Sequence, residues 1–333
     1  MISIALGTYN GGKFLQEQLD SIENQTLLPD ELVICDDCSG DSTIAILEKF
    51  REKVVFPVHI HQNDNNLGST RNFEKAIGLC SGDIIVLSDQ DDVWKPEKLA
   101  RMSDVFRENP QAGFVFSDAD LVDEHLRLLD ICLWDSVGFT GEFQKHFLEG
   151  DQFRCLMKQP IVTGATMAFR ASVGKLAMPF PAEGHFIHDG WIALVSSAAG
   201  KLGIAIEDSL IDYRQHSSQL IGAPDPEKKC SLLGMYLELK ASQQALFTAW
   251  EKDCLQILSV KDILQPLRKN HNSAILEQNC NYLDEFETHY LNRRKILTSK
   301  DLGRYGLILQ ETFSGRYAEF SDSWQSIFRD LFL

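Results

Sequence analysis

Ile84-Ile85-Val86-Leu87-Ser88-Asp89-Gln90-Asp91-Asp92-Val93-Trp94 joins an unbroken apolar run to a tight group of carboxylates. Consecutive aliphatic residues bounded by polar ones suit a strand covered on both faces. Side chains alternate along an extended chain, so Asp89 and Asp91 leave the strand pointing the same way. Two hard oxygen donors on one side suit Mg2+ or Mn2+, which can in turn hold a substrate diphosphate. Spacing alone is a weak signal, because the chain has 27 aspartates in 333 residues and Asp118-Ala119-Asp120 repeats the pattern. Position at the end of the most apolar strand singles out the first pair. The competing reading is a solvated acidic turn, with Asp92 capping a helix whose first turn holds Lys95-Pro96-Glu97.

Upstream, short apolar runs alternate with helical periodicity. Ile2 to Leu6 predicts a first strand ending in Gly7-Thr8-Tyr9-Asn10-Gly11-Gly12, and Phe14, Leu15, Leu19 and Ile22 then mark a helix face. Leu32 to Cys35 predicts a second strand, followed by Asp36, Asp37 and Asp41 and a helix through Ile44, Leu47 and Phe50. Val54 to Ile60 predicts a third, and Asn66-Leu67-Gly68 opens a helix through Phe73 and Ile77. This alternation argues an α/β fold, a parallel sheet flanked by helices, with ligands bound at the carboxyl ends of the strands. The polar clusters sit at those ends. Gly7, Gly11 and Gly12 do not form GxGxxG, which disfavours a dinucleotide-binding dehydrogenase.

Composition narrows the class further. The chain is 44% hydrophobic, and 32 basic against 48 acidic residues give a net charge of −16. That balance excludes a general nucleic-acid binder, which needs a basic footprint. No run approaches the ~18 apolar residues of a spanning helix, and the first strand begins at the N-terminus, so a cytoplasmic, soluble protein is expected. Eight scattered cysteines fit that compartment; Cys35-Asp36-Asp37-Cys38 has no second pair at zinc-binding spacing. From Asp225 to Leu333 there are 14 basic and 15 acidic residues, leaving 18 and 33 before it. The acidic excess therefore lies in the first 224 residues. Gly222-Ala223-Pro224-Asp225-Pro226 marks the shift, which predicts one domain over 1–222 and an all-helical region over 223–333.

Six motifs in order carry a family resemblance. They are Gly7-Thr8-Tyr9-Asn10-Gly11-Gly12, the Cys35–Thr43 segment, Asn66-Leu67-Gly68 with Arg71-Asn72, Asp89-Gln90-Asp91-Asp92-Val93-Trp94, His188-Asp189-Gly190-Trp191 and Tyr213-Arg214-Gln215-His216. Over about its first 220 residues the chain resembles family 2 glycosyltransferases of the GT-A fold. The Asp-Gln-Asp-Asp-Val-Trp and Tyr-Arg-Gln-His forms look most like bacterial rhamnosyltransferases of surface polysaccharide assembly. The resemblance implies that Thr8, Tyr9 and Asp37 hold the nucleotide base, with Asp36 less clearly involved. A carboxylate accepting an imide N–H reads uracil or thymine. Arg71 would lie near the nucleotide and brace Asp37. Asp89 would contact the ribose, and Asp91 the metal. His216 would supply a ring nitrogen to the metal or touch the pyrophosphate. Arg214 is left unassigned, and His185 and His188 receive no metal role. The run Ile161 to Phe169 resembles the strand lining the sugar and acceptor side, or is simply a packed central strand.

Asp189 is the expected general base, taking the acceptor hydroxyl proton as that oxygen attacks the anomeric carbon with inversion. The rival role is an N-cap for a helix from Trp191 to Ala199, and the two are compatible. Trp191 would stack on the acceptor or fill the core. Near the C-terminus, Tyr317, Phe320, Trp324, Phe328 and Leu331 form one stripe, suited to its own domain, a second subunit or a membrane. The expected function is a metal-dependent, inverting transfer of L-rhamnose from dTDP-rhamnose onto a hydroxyl of a growing cell-surface glycan. UDP-hexose transfer, a nucleotidyltransferase and a non-catalytic nucleotide-sugar binder are the rivals. The implied cofactor is Mn2+ or Mg2+. The implied partners are the nucleoside-diphosphate sugar and a glycan or lipid-linked acceptor, with peripheral membrane contact and a homodimer left open.

Overall fold

The computed structural model describes residues 1–181, 186–217, 219, 243–270, 273–298, 303–321, 326–327 and 330–331. It divides into two compact units, Met1–Ser197 with Lys201–Ala249, and Ala198–Gly200 with Trp250–Leu333. The boundary expected near Gly222 lies outside the described residues.

The first unit opens with β1 (Ile2–Thr8), α1 (Leu15–Glu23), β2 (Glu31–Asp36), α2 (Thr43–Lys53), β3 (Val58–Gln62), α3 (Ser69–Leu79) and β4 (Ile84–Ser88). These strands pair in parallel in the order β3-β2-β1-β4. Ile2, Ile4 and Leu6 pack into one core with Leu15, Leu19 and Ile22 of α1 and Leu47 of α2. Alternation sends Ser3, Ala5 and Gly7 to the opposite face, where α3 packs on β1 and β2. Both faces are thus covered, as the apolar runs predict. The register aligns Thr8 with Asp36 and Leu6 with Ser88, so three strands deliver their polar ends to one edge.

Beyond β4 the sheet becomes mixed. The chain continues through β5 (Val93–Trp94), α4 (Lys98–Glu108), β6 (Ala112–Val122), β7 (Leu128–Cys132), α5 (Leu133–Ser136), α6 (Gly141–Leu148) and α7 (Gln152–Lys158). A short 3-10 turn at Gly164–Thr166 leads into β8 (Met167–Arg170), α8 (Ala171–Ala177), α9 (His188–Ala198) and β9 (Leu202–Arg214). The full order is β3-β2-β1-β4-β8-β6-β9-β5, with β7 on β6. β8 runs antiparallel to both β4 and β6, whereas β6 and β9 are parallel. An apolar run looks the same in either direction, so sequence shows the strand and not its sense. The predicted strand Ile161–Phe169 is shorter than expected, because Gly164–Thr166 turns instead of extending.

The second unit is helical, as expected: α10 (Gln243–Asn270) from Trp250 on, α11 (Ala274–Thr298), α12 (Gly303–Phe313) and α13 (Arg316–Phe320). Tyr317 packs with Ile296 and Ile308, and Phe320 lies 5.0 Å from Tyr282 and 5.6 Å from Phe286. The start of the C-terminal aromatic stripe therefore docks on its own unit; Trp324 and Phe328 lie outside the described residues. No helix among the described residues is long and apolar enough to cross a membrane.

Candidate active site

The loops after β1 and β2 are laced together by side-chain oxygens. Asp36 accepts from Thr8 Oγ1 at 2.9 Å and from the Ser39 amide at 2.9 Å, and Asn10 N–H donates to Ser39 Oγ at 2.8 Å. Asp37, 3% exposed, accepts from Asn63 Nδ2 (2.8 Å), the Leu67 amide (2.7 Å) and the Gly68 amide (2.9 Å). An ionised carboxylate offers about four lone-pair directions, so one remains for a ligand. Arg71 does not brace Asp37 as expected; it pairs with Glu74, one turn along the same helix. The Asp37 contacts come instead from the Asn63 side chain and from the Leu67 and Gly68 amides, in a turn that the positive φ of Gly68 (79°) permits. Tyr9 is 50% exposed at the edge of the sheet and open to a planar ring. Cys35 and Cys38 are free thiols, the first buried and the second exposed.

The carboxylate turn begins where β4 stops. Gln90 clasps the first loop in both directions, accepting from the Tyr9 amide at 2.9 Å and donating to the Tyr9 carbonyl at 3.0 Å. A side chain at Gly11 would place its Cβ 2.2 Å from Gln90 Oε1, which explains the glycine. Asp92 does not cap a helix. The chain re-enters the sheet at once, with Val93 opposite Asp212 and Trp94 opposite Ile211, and α4 starts only at Lys98. Asp92 is fully buried; Oδ1 accepts from the Arg214 amide at 3.0 Å and Oδ2 has no hydrogen-bond partner.

Lys98 is equally buried, donates to the Ala165 carbonyl at 2.5 Å and lies 3.8 Å above the Trp94 ring. Neither Gln90 nor Lys98 stood out in the sequence. The first was hidden inside a motif, and the second was an ordinary lysine beside the apolar positions Leu99 and Met102.

Electrostatics show how crowded this turn is. Loss of water, with Asp91 and Asp189 nearby, pushes the Asp89 carboxyl up to about 7. Asp92 is pushed well above the ordinary carboxylate range by burial and by Asp91 and Asp89. Burial pulls the Lys98 ammonium down to about 7 against the attraction of Asp92 and Asp89.

Asp189 sits in the first turn of α9, 9% exposed. Its Oδ2 accepts from the Gly164 amide at 2.6 Å and its Oδ1 from the Gly190 amide at 2.6 Å. The 3-10 turn is what presents the Gly164 amide; a Cβ there would lie 3.2 Å from both Asp189 Oδ2 and His188 Nε2. The helix begins at His188, so Asp189 lies within its first turn and does not cap a helix starting at Trp191. Trp191 is 1% exposed and donates to the Ala177 carbonyl at 2.9 Å, so it belongs to the core and not to an acceptor platform.

His216 follows β9 and places Nε2 3.0 Å from Asp91 Oδ2. The two atoms are within hydrogen-bond distance, and the same separation also suits two adjacent ligands of a divalent cation with bonds of ~2.1 Å. Among the described residues no group of three or more His, Cys, Asp or Glu is arranged to hold a metal. Two protein donors, with substrate phosphates and water completing the shell, is the pattern expected for a cation that travels with a nucleotide. The structure therefore brings Asp89, Asp91, His216 and Asp189 to one edge of the sheet, beside Thr8, Tyr9 and Asp37. Arg71 points to its own helix.

A sheet of this order, with a carboxylate turn after its central strand and a flanking carboxylate on a helix start, is the GT-A fold. S. aureus TarS 1-349 in complex with UDP-GlcNAc shares it at a TM-score of 0.58, with 16% identity over 99% of this chain and 91% of that one. Glycosyl transferase family 2 matches residues 3–173, just over half of the chain, and the chain belongs to that family. An uncharacterized glycosyltransferase of Nostoc sp. is 26% identical over 219 residues, 65% of each chain. The dTDP-rhamnosyl transferase RfbG of Shigella flexneri is 35% identical over 103 residues, covering 30% of this chain and 36% of that one. The abequosyltransferase RfbV of Salmonella typhimurium is 34% identical over 102 residues, 30% and 31% of the two chains. The matches thus span between about a third and two thirds of these relatives.

Proposed function

We propose that this chain is an inverting, divalent-cation-dependent glycosyltransferase that moves a deoxyhexose, L-rhamnose from dTDP-rhamnose, onto a hydroxyl of a growing cell-surface glycan. The observation that carries the reading is the convergence of Asp189 with the Asp89–Asp92 turn, close enough for Asp189 to raise the Asp89 carboxyl. A base and a diphosphate-binding edge on one site suit transfer between a nucleotide sugar and a hydroxyl. The donor assignment is supported by likeness, over about a third of each chain, to a dTDP-rhamnosyl transferase and an abequosyltransferase.

Each residue then has a task. Tyr9 faces the base, and the remaining lone pair of Asp37 accepts the imide N–H that thymine and uracil share. Asp89 meets the nucleotide's sugar. Asp91 and His216 hold the cation, which when bound neutralises the leaving diphosphate. The oxygen–nitrogen pair suits Mn2+ better than Mg2+, which prefers oxygen. Asp189 takes the acceptor proton, and the Gly164 and Gly190 amides keep its carboxylate oriented for that purpose. The enzyme would work on a glycan or lipid-linked acceptor at the inner face of the cell membrane.

Asp189→Asn tests the reading. Turnover of dTDP-rhamnose should fall by about 10²–10⁴-fold while calorimetric affinity for the donor stays within about twofold. Unchanged turnover removes Asp189 from the mechanism. A thermal-shift panel with Mn2+ should respond to dTDP-rhamnose above UDP-hexoses; a UDP-sugar preference would replace the donor, and silence to all would favour a non-catalytic protein.

A further inference from the structure

The structure assigns Arg214 as the positioning residue of the cation site: its guanidinium ties the Asp91 main chain to the end of β9 and so brings His216 onto Asp91. This rests on the reading that Asp91 and His216 hold a divalent cation.

The two ligands come from segments 125 residues apart. The β5–β9 ladder ends at Val93 opposite Asp212, so both ligands lie beyond its last pair. Arg214 supplies the hold in that gap. Its Nε donates to the Asp91 carbonyl at 2.7 Å, and its own amide donates to Asp92 Oδ1 at 3.0 Å. Nη1 donates to the Glu124 carbonyl at 2.8 Å, past the end of β6, and Nη2 pairs with Glu17 on α1. Four segments meet on one side chain. The guanidinium also lies 4.5 Å over the Phe14 ring, and Phe14 in turn contacts the His216 ring at 4.7 Å. Gln219 closes the loop by donating to the Arg214 carbonyl at 2.5 Å and accepting from the His216 amide at 2.9 Å.

Arg214 is 1% exposed, so a diphosphate cannot reach it, and its effect must pass through the residues it holds. A planar fork addresses three acceptors at fixed angles; a lysine would reach one. Groups that orient a metal's ligands typically contribute about 10–100-fold in metal affinity.

The test compares wild type with Arg214→Met, Arg214→Lys, Glu17→Gln, His216→Ala and Asp91→Asn. Mn2+ is titrated by calorimetry in the presence of dTDP, and the bound Mn2+ is examined by electron spin-echo envelope modulation. Wild type should show a directly bonded imidazole nitrogen, and His216→Ala should lose it. Arg214→Met and Arg214→Lys should lose that nitrogen signal and weaken Mn2+ by about 10–100-fold. Glu17→Gln replaces the charged acceptor of one leg of the fork by a neutral one and should weaken Mn2+ less, which keeps the test decisive if the Arg214 variants do not fold. Wild-type nitrogen signal and Mn2+ affinity in the Arg214 and Glu17 variants, with binding lost in Asp91→Asn, overturns the role of Arg214 alone. Wild-type Mn2+ binding in Asp91→Asn overturns the cation site itself.

Discussion

Two groups of charged side chains, one in each unit, are built in opposite ways. In the helical unit, Glu311 is fully buried and accepts from His289 Nδ1 at 2.7 Å, Asn292 Nδ2 at 2.7 Å and Arg316 Nη2 at 2.7 Å. Asp330 accepts from Arg293 Nε at 2.9 Å and from the Tyr317 hydroxyl at 2.7 Å. Each carboxylate has its own guanidinium, and the imidazole completes the set through Ser321 at 2.8 Å. In the α/β unit, Asp89, Asp91, Asp92 and Asp189 converge with Lys98 as the buried ammonium among them, and Arg214 spends one edge on Glu17. One oxygen of Asp92 has no partner. A closed network is architecture. A surplus of one sign is a place prepared for something else, because like charges out of water persist only where function requires them.

The same contrast sets opposite responses to pH. Asp89 is raised from 3.8 to about 7, so the folded state holds its proton more tightly than the unfolded chain does. Its contribution to stability is full below about pH 4 and is lost as pH rises through about 7. In the helical unit burial works to raise Glu311, but hydrogen bonds from Arg316, His289 and Asn292 outweigh it and hold it below its ordinary 4.5. His289 is held below 6.5, chiefly by burial. Both contributions are present at neutral pH and are lost on acidification.

The largest effect that would break this comparison is Glu311→Ala. It strands His289 and Arg316 without their acceptor and should cost about 3–5 kcal/mol, read from denaturant unfolding by circular dichroism. A loss below about 1 kcal/mol would mean that the network is ornament. Cation binding comes next. Without cation, the α/β unit should melt lower at pH 8 than at pH 5. Mn2+ with dTDP at about a hundred times its Kd should restore about 2.7 kcal/mol at pH 8 and much less at pH 5, where protons already neutralise Asp89. Equal stabilisation at both values would detach the carboxylates from the cation. The smallest effect is Asp92→Asn, which keeps an acceptor for the Arg214 amide and replaces a buried carboxyl whose charged form burial, Asp91 and Asp89 disfavour. It should raise the cation-free melting temperature by about 2–4 °C, and a comparable fall would show that Asp92 is held ionised.

Local signals made much of this legible. The apolar run of Ile84–Leu87, the turn formers after β1 and the carboxylates after β2 and β4 report strand ends, since backbone and side-chain periodicity act over a few residues. They mark Asp89 and Asp91; Asp189 and His216 are marked by the resemblance that the His188–Trp191 and Tyr213–His216 motifs carry. What remained hidden depends on partners far away in the chain. Val93 and Trp94 look like a continuing turn until β9 offers them a ladder. The Gly164 turn looks like a strand until Asp189 needs its amide. Nothing in the sequence shows that the Leu67 and Gly68 amides already occupy Asp37, the carboxylate that Arg71, placed near the nucleotide by resemblance, is expected to brace.

The amino-acid order by itself determined which residue types stand at the strand ends, hence an acidic edge on an α/β scaffold. Only the tertiary structure decided that Asp91 meets His216, that Arg214 is buried beneath them, and that Asp189 faces Asp89. Those juxtapositions cross 100 to 125 residues of chain. No local preference spans that distance; the packing of the sheet does.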